Sequence, residues 1–396
     1  MENLPALNLK NLDKSEWKSY RFDQIVKNIS ERVDPNNTDL EVYVGLEHID
    51  SESIHLKRSG TPDDVDGQKL RFYPGDVIFG RRRAYQRKAA VATTHGFCSA
   101  HALVLRANPE IIDSQLFPFF MHSDAFMHRA VDISVGSLSP TINWGTLKSQ
   151  QFLIPNKEQQ KSIFKILWAL DKVIEQEEEL LRSIYISRKT YINSVLYKYE
   201  TGIESALPNG FSVKKLEDVA EISGGSTPSR TNPEFWGGDI PWLTPTDVTK
   251  NEDIHLSTTK ERITKDGLKS ISNRIYPPGS ILYCSRATIG YAIINDVAMA
   301  TNQGFTNFIC KSSINNYFLY FLLQHITPEL TRLAGGSTFL EIPKSSVKSF
   351  KVVIPEEFLQ KKIAKKIVEY ENTIKTIKLK ICKSKALQDS LINHIF

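Results

Sequence analysis

Two stretches of this chain, residues 156–201 and 356–396, contain neither glycine nor proline, and both carry the same pattern. In the first, Ile163, Leu167, Leu170, Ile174, Leu181, Ile184, Tyr191 and Val195 fall on alternating steps of four and three, broken only by Glu177 and Arg188. In the second, Ile363, Ile367, Tyr370, Ile374, Ile377, Ile381, Leu391 and Ile395 repeat the series two hundred residues later, broken by Ser384 and Gln388. That spacing places these side chains on one seam, as in a coiled coil. Pro155 and Pro355 stand just ahead of each stretch, where a missing N–H costs a helix little. Two ordinary amphipathic surface helices would have to arrive at the same five heptads twice, at one fixed offset.

Each helix would run about 60 Å at about 1.5 Å per residue. Only residues 201–209 separate the first helix from the second half of the chain, and the second helix begins where that half ends. If each half is compact, with its ends close together, the helices pair by running back along one another. Full overlap would set Arg188 beside Tyr370. The expected fold class is α+β: two globular α/β domains in tandem duplication, separated by two long helices that form an antiparallel coiled coil. The expected segments are a domain over 1–155, a helix over 156–200, a domain over 201–355 and a helix over 356–396.

The repeat extends into the domains. Residues 17–25 resemble 211–219: an aromatic, a basic residue, then an apolar and acidic turn. Residues 44–49 lie in the same relative place as 241–247, and 72–79 match 275–283, a Pro/Gly turn feeding a buried strand. Gly136-Ser137 matches Gly336-Ser337, and Phe152-Leu153-Ile154-Pro155 matches Val352-Val353-Ile354-Pro355. A repeat this long is a domain duplication rather than a solenoid. Helices are expected over 115–131 and 316–333.

Several function classes lack their motifs. There is no phosphate loop, no dinucleotide fingerprint, no HExxH and no GxSxG elbow. Asn232-Pro233-Glu234-Phe235 reads as a loop. His122 and His128 are six apart, the wrong spacing for one helical face to hold a metal. No catalytic, cofactor-binding or metal-binding residue is therefore expected. Cys98, Cys284, Cys310 and Cys382 are scattered, which suggests a reduced, cytoplasmic setting. No apolar run reaches membrane-spanning length, and residues 1–10 do not read as a signal peptide. The net charge of +5 permits a nucleic-acid partner without requiring one.

The basic residues cluster. After the strand ending at Phe79 come Arg81, Arg82, Arg83, Tyr85, Arg87 and Lys88: five cations in eight positions around a tyrosine. The second half has Ser285, Arg286 and Thr288 there, with Arg82 and Arg286 in equivalent positions. Guanidinium groups pair with guanine edges and with phosphate. Ser226 and Thr227 sit in the Gly-rich turn 223–229, and Asn302 and Gln303 on a further turn. Hydroxyls and backbone N–H groups suit phosphate, and carboxamides suit adenine edges. These residues are the candidate DNA contacts, with base and phosphate roles left open. Trp242 reads better as core than as a contact.

With these features in place, the chain resembles the DNA-specificity (S) subunits of type I restriction-modification systems over almost its whole length. The resemblance rests on the two-copy layout, the opening segments at Trp17 and Phe211, and the glycine-rich turn 223–229 with Ile240-Pro241-Trp242. The paired Pro-Gly strands and Ile154-Pro155 followed by Glu158-Gln159-Gln160 and Ile163 complete it. The second copy keeps Ile354-Pro355, Gln360 and Ile363 but has Phe358-Leu359 where the Glu-Gln pair would stand. The first half has no counterpart of the glycine-rich turn, so the two target-recognition domains should belong to different subgroups.

The resemblance implies a non-catalytic subunit that binds double-stranded DNA, each domain reading one half of a bipartite, asymmetric target. It implies two methyltransferase (M) subunits and restriction/translocase (R) subunits as partners, the helical pair setting the spacer and docking the methyltransferases. S-adenosylmethionine, ATP and Mg2+ would belong to those partners, with no cofactor on this chain and no membrane. The competing readings are an enzyme acting alone on DNA, a coiled-coil adaptor without DNA specificity, and the specificity subunit of a related restriction-modification type.

Overall fold

The computed structural model describes residues 12–200, 202–335 and 340–396. They divide into two compact units, one holding the chain up to Leu180 together with Lys378–Phe396, the other Leu181–Ile377. The boundary cuts both long helices, so each unit contains one recognition-type domain and a piece of each helix.

In the first unit, Lys18–Arg21 pairs antiparallel with Gln151–Ile154 and brings the two ends of the domain together. A four-stranded antiparallel sheet runs in the order Val26–Ile29, Ala102–Ala107, Val77–Gly80, Ala89–Val91. A second sheet runs Arg32–Val33, Lys69–Phe72, Gly96–Cys98, Tyr43–Val44, its last pair parallel. The Pro74-Gly75 turn works as expected. Gly75 has φ +88°, a left-handed value that β-carbon residues rarely adopt, and it feeds a strand whose four residues are all buried. Phe22, Phe79, Phe120, Phe126 and Phe152 form an aromatic core with ring centroids 5.3–5.7 Å apart. Each such side chain contributes about 1.5–3 kcal/mol by leaving water.

The second unit repeats this frame. Phe211–Lys215 pairs antiparallel with Lys351–Pro355. A five-stranded sheet runs Ala220–Gly224, Phe305–Cys310, Ile281–Cys284, Ala292–Asn295, His255–Leu256, and a three-stranded sheet Glu261–Ile263, Trp236–Leu243, Ala300–Thr301. Gly279, at φ +85°, repeats the turn of Gly75. The parallel pairing of Trp242-Leu243 with Ala300-Thr301 corresponds to that of Tyr43-Val44 with Phe97-Cys98. The Gly136-Ser137 match cannot be followed into the second unit, because Gly336 and Ser337 lie outside the described residues.

The domain helices differ from expectation. The segment 115–131 is two helices, Phe117–His122 and Asp124–Asp132, split at Ser123. Ser123 is extended at ψ 149°, and its hydroxyl accepts the Phe126 N–H, capping the second helix. In the other unit Asn316–His325 and Thr327–Thr331 are split at Ile326, with Pro328 in the first turn of the second helix.

The long helices are Lys157–Val195 and Glu357–Ile395, 39 residues each. Within each unit their segments lie side by side and antiparallel. In the first unit Gln388 Nε2 donates to Asp171 Oδ1 at 3.2 Å, Ser384 Oγ to Glu177 Oε2 at 3.0 Å, and Lys385 pairs with Glu178 at 2.7 Å. In the second unit Arg188 pairs with Glu371, and the rings of Tyr191 and Tyr370 lie 6.0 Å apart. Every seam residue named above is buried or half-buried, and so are the four polar breaks. Arg188, expected beside Tyr370, pairs with the adjacent Glu371, while the Tyr370 ring also meets Tyr191. No helix among the described residues is long and apolar enough to cross a membrane.

Candidate nucleic-acid interface

The basic loop of the first unit leaves the sheet where Gly80 pairs with Ala102. The N–H of Arg81 donates to the His101 carbonyl at 3.1 Å, and the Arg81 carbonyl accepts from Ile142 N–H at 2.9 Å. Arg82 bridges Thr141. Arg83 is left-handed at φ +58°. Its N–H donates to the Pro140 carbonyl at 2.7 Å and its Nε to Ser139 Oγ at 3.2 Å. The loop is thus laced to the hairpin 135–141, closed by Val135 and Thr141, which exchange N–H···O bonds of 3.0 and 2.9 Å. Arg82, Arg83 and Tyr85 are exposed.

Two members of the cluster turn inward. Arg87, left-handed at φ +51°, pairs with Asp124 at 2.6 Å and donates to the His122 carbonyl. Lys88 Nζ donates to the Leu46 carbonyl at 2.6 Å. Both are half-buried and tie the loop to its own domain, so neither is the free cation expected of a DNA contact. Arg81 is half-buried too, and its Nε, shut from water, has no hydrogen-bond partner.

The second unit uses the same backbone track. Ser285 N–H donates to the Gly304 carbonyl at 2.9 Å, and the Ser285 carbonyl accepts from Ile342 N–H at 2.9 Å. Ala287 is left-handed at φ +60°, and its N–H donates to the Leu340 carbonyl at 3.2 Å. Arg286 bridges Glu341, their charges 3.7 Å apart. Arg82 and Arg286 are thereby equivalent in hydrogen bonding as well as in sequence. Ser285 is not at a surface: it is 3% exposed, and its hydroxyl accepts from Thr306 Oγ1 at 2.9 Å. Thr288 is half-buried, with its Oγ1 shut from water.

The glycine-rich turn meets the Asn302 turn directly. Ser226 N–H donates to the Thr301 carbonyl at 2.9 Å, and Thr227 Oγ1 donates to Gln303 Oε1. A β-carbon on Gly225 would lie 2.0 Å from the Asn302 carbonyl oxygen, so only glycine allows this approach. Asn302 Oδ1 accepts from Gly304 N–H at 2.9 Å, leaving Gln303 exposed at the tip. Gly224 pairs with Thr306 and Cys284 with Phe305, so these turns and Arg286 gather at one end of one sheet. Trp242 is core, 1% exposed, with its Nε1 donating to the Ser226 carbonyl at 3.1 Å. Sequence reasoning passed over Arg230, whose guanidinium lies 3.9 Å from the centre of the Trp236 ring and pairs with Glu261 at 2.5 Å. An arginine beside a turn carries no signal of the ring that will hold it.

Two further features hold the domains to the helices. Gln160, 1% exposed, donates to the Pro155 and Ile111 carbonyls at 2.9 and 2.7 Å and accepts from Asp113 N–H at 2.7 Å. Gln360 repeats this with Pro355, Ser313 and Asn315 at 2.9, 3.2 and 2.8 Å. The departure at Phe358-Leu359 leaves this clasp intact. In the first unit His55 Nε2 lies 2.7 Å from Asp171 Oδ2, with Glu175 at 3.4 Å from Nδ1. The Asp171 hydrogen bond raises the His55 pKa above its usual value, against the opposing effect of burial. These three form the one group among the described residues with the composition to hold a cation, and His55 and Asp171 already satisfy each other. His122 is buried against the Ala89 carbonyl at 2.8 Å, and burial pushes its pKa down to about 4.

Comparison with known proteins agrees with this architecture. The family model described as type I restriction modification DNA specificity domain matches twice, at residues 14–185 and 208–383. The chain is 39% identical over 190 residues to the type I restriction enzyme MjaIX specificity subunit of Methanocaldococcus jannaschii, covering 46% of this chain and 44% of that protein. It is 22% identical to the HindI specificity subunit of Haemophilus influenzae, over 91% of this chain and 94% of that one. The solved S subunit of a type I system from M. genitalium superposes with a TM-score of 0.59 at 14% identity, covering 98% of both chains.

Proposed function

This chain belongs to the type I restriction-modification DNA-specificity family, and from that premise we propose that its two recognition domains each read one half of a split, asymmetric DNA target. The chain supplies DNA-sequence specificity. In this reading it has no chemistry of its own: a methyltransferase partner modifies the DNA and a translocating restriction partner cuts it. S-adenosylmethionine, ATP and Mg2+ act on those partners, in the cytoplasm. The two long helices fix the number of unread base pairs between the half-sites and carry the methyltransferase docking surface.

One observation carries the reading. Arg82 and Arg286 stand on the same hydrogen-bonded frame, but one is flanked by Arg81 and Arg83 and faces Thr141, the other by Ser285 and Ala287 and faces Glu341. A shared scaffold that presents different side chains to a duplex is what two different half-sites require.

The test is to co-express the chain with its methyltransferase and map modified adenines across the host genome. A split motif, methylated in both halves, supports the reading and gives the recognition words and the spacer together. A continuous motif overturns it in favour of a related restriction-modification type. No motif, with a methyltransferase shown to be competent, favours an adaptor.

A further inference from the structure

We propose that Leu138 is a wedge that enters the base stack of the duplex at the half-site read by the first domain; the inference rests on the DNA-reading role argued above. At 92% exposure Leu138 is the most exposed of the large apolar side chains among the described residues, and Val135 on the same hairpin is 70% exposed. A near-naked leucine held in water gains free energy from any apolar surface that covers it. Its setting says what that surface is.

The hairpin is a rigid mount. Val135 and Thr141 close its base with two hydrogen bonds, and Gly136, at φ +120°, turns the chain toward the tip. The segment that follows the tip is fastened to the arginine loop by Ile142 N–H to Arg81, by Arg83 N–H to Pro140 and by Arg83 Nε to Ser139. Whatever Arg82 and Arg83 approach, Leu138 approaches with them. No acidic residue stands between Asp132 and Glu158. An apolar tip backed by arginines and free of carboxylates suits a polyanion with an apolar interior. Stacked bases behind a phosphate backbone fit that description. Proteins that deform DNA insert apolar side chains of this kind between base pairs and partly unstack the step they enter. The second domain need not do the same, because its equivalent frame carries Glu341 beside Arg286.

The test uses the complex of this chain with its methyltransferase and a duplex carrying the mapped target. A fluorescent adenine analogue, 2-aminopurine, replaces one base at a time through the first half-site. Wild type should give a fluorescence rise of about three-fold or more at one step other than the methylated adenine, since unstacking relieves quenching. Leu138→Ala should abolish that rise and weaken target binding about ten-fold, while Leu138→Met keeps both. The methylated adenine, which the methyltransferase takes out of the stack, is the control and should be unchanged in every variant. Leu138 contacts almost nothing in its own domain, so both variants should fold. A wild-type complex that binds its target with no Leu138-dependent rise overturns the wedge alone. Loss of methyltransferase assembly in Leu138→Ala also overturns it, making the side chain a protein contact. A wild-type complex with no sequence preference brings down the DNA-reading role and the wedge together.

Discussion

The arginine loop of the first domain and its counterpart in the second follow one backbone track with different side chains. Arg81 and Ser285 each donate an N–H to the residue just ahead of the neighbouring strand and accept one from the residue two after the hairpin proline or leucine. Arg83 and Ala287 are both left-handed, at φ +58° and +60°. Yet Arg81 is a half-buried cation, whereas Ser285 is buried and bonded to Thr306. The difference teaches that this frame is built from main-chain bonds, which side-chain substitutions other than to proline leave in place. What the loop presents can therefore change while the fold stays.

The comparison can be broken most completely through the helices. Removing residues 177–183 together with 378–384, one heptad from each strand of the pair, should shorten the unread spacer by about three base pairs. This follows from about 10.5 Å of helix at about 3.4 Å per step. Methylome mapping of the variant reads the change directly, and an unchanged spacer would sink the ruler.

The shared scaffold can be tested next. Gln160→Leu and Gln360→Leu each leave one N–H and two carbonyls without their partner. Each should cost about 3 kcal/mol or more in denaturant unfolding. Losses that differ by more than about 1 kcal/mol would show that the two clasps are not equivalent.

Arg82→Ala sharpens the contrast at the interface. It should relax recognition at one position of the first half-site by about 1–3 kcal/mol, leaving the second half-site as it was. Binding to duplexes altered one base at a time would show it. Uniform weakening across all sequences would make Arg82 a phosphate contact instead.

The smallest effect is a pH dependence expected of the first unit through His55. Its pKa is raised above the usual 6.5 in the folded state. The stability it contributes is therefore complete below that value and is lost as pH climbs through the raised one. Because the pair is partly exposed, the loss should be small. Urea midpoints at about pH 6 and about pH 8.5 would measure it, and His55→Gln should remove the slope.

Much of this was legible because it is periodic or local. The seam residues announce themselves by spacing, and each is buried or half-buried as the heptads require. The turns at Gly75 and Gly279 are read from their proline and glycine. Two of the misses share one cause: a partner far away in the chain. Arg87 looks free until Asp124, 37 residues on, takes it, and Lys88 until the carbonyl of Leu46 does. Within 115–131 the polar step His122-Ser123-Asp124 interrupts the apolar run, and Ser123 ahead of Asp124 is the local sign of the cap that starts a new helix. The pairing of Tyr370 with Tyr191 needed the register of two helices, not the pattern of either.

The division of the chain has a consequence for how it is made. Ile392, Ile395 and Phe396 pack with Trp17, Leu116, Phe119 and Phe120 in the first unit. Residues 181–377, which form the second unit, are a single continuous segment. As the chain leaves the ribosome the second unit has all of its own residues in hand before the first does. The earlier-made domain must wait with part of its apolar surface uncovered until residues 378–396 of the second long helix arrive. A chain cut after Ile377 would therefore injure the domain farthest from the cut in sequence, and incomplete synthesis would be exposed at the beginning of the molecule rather than at its end.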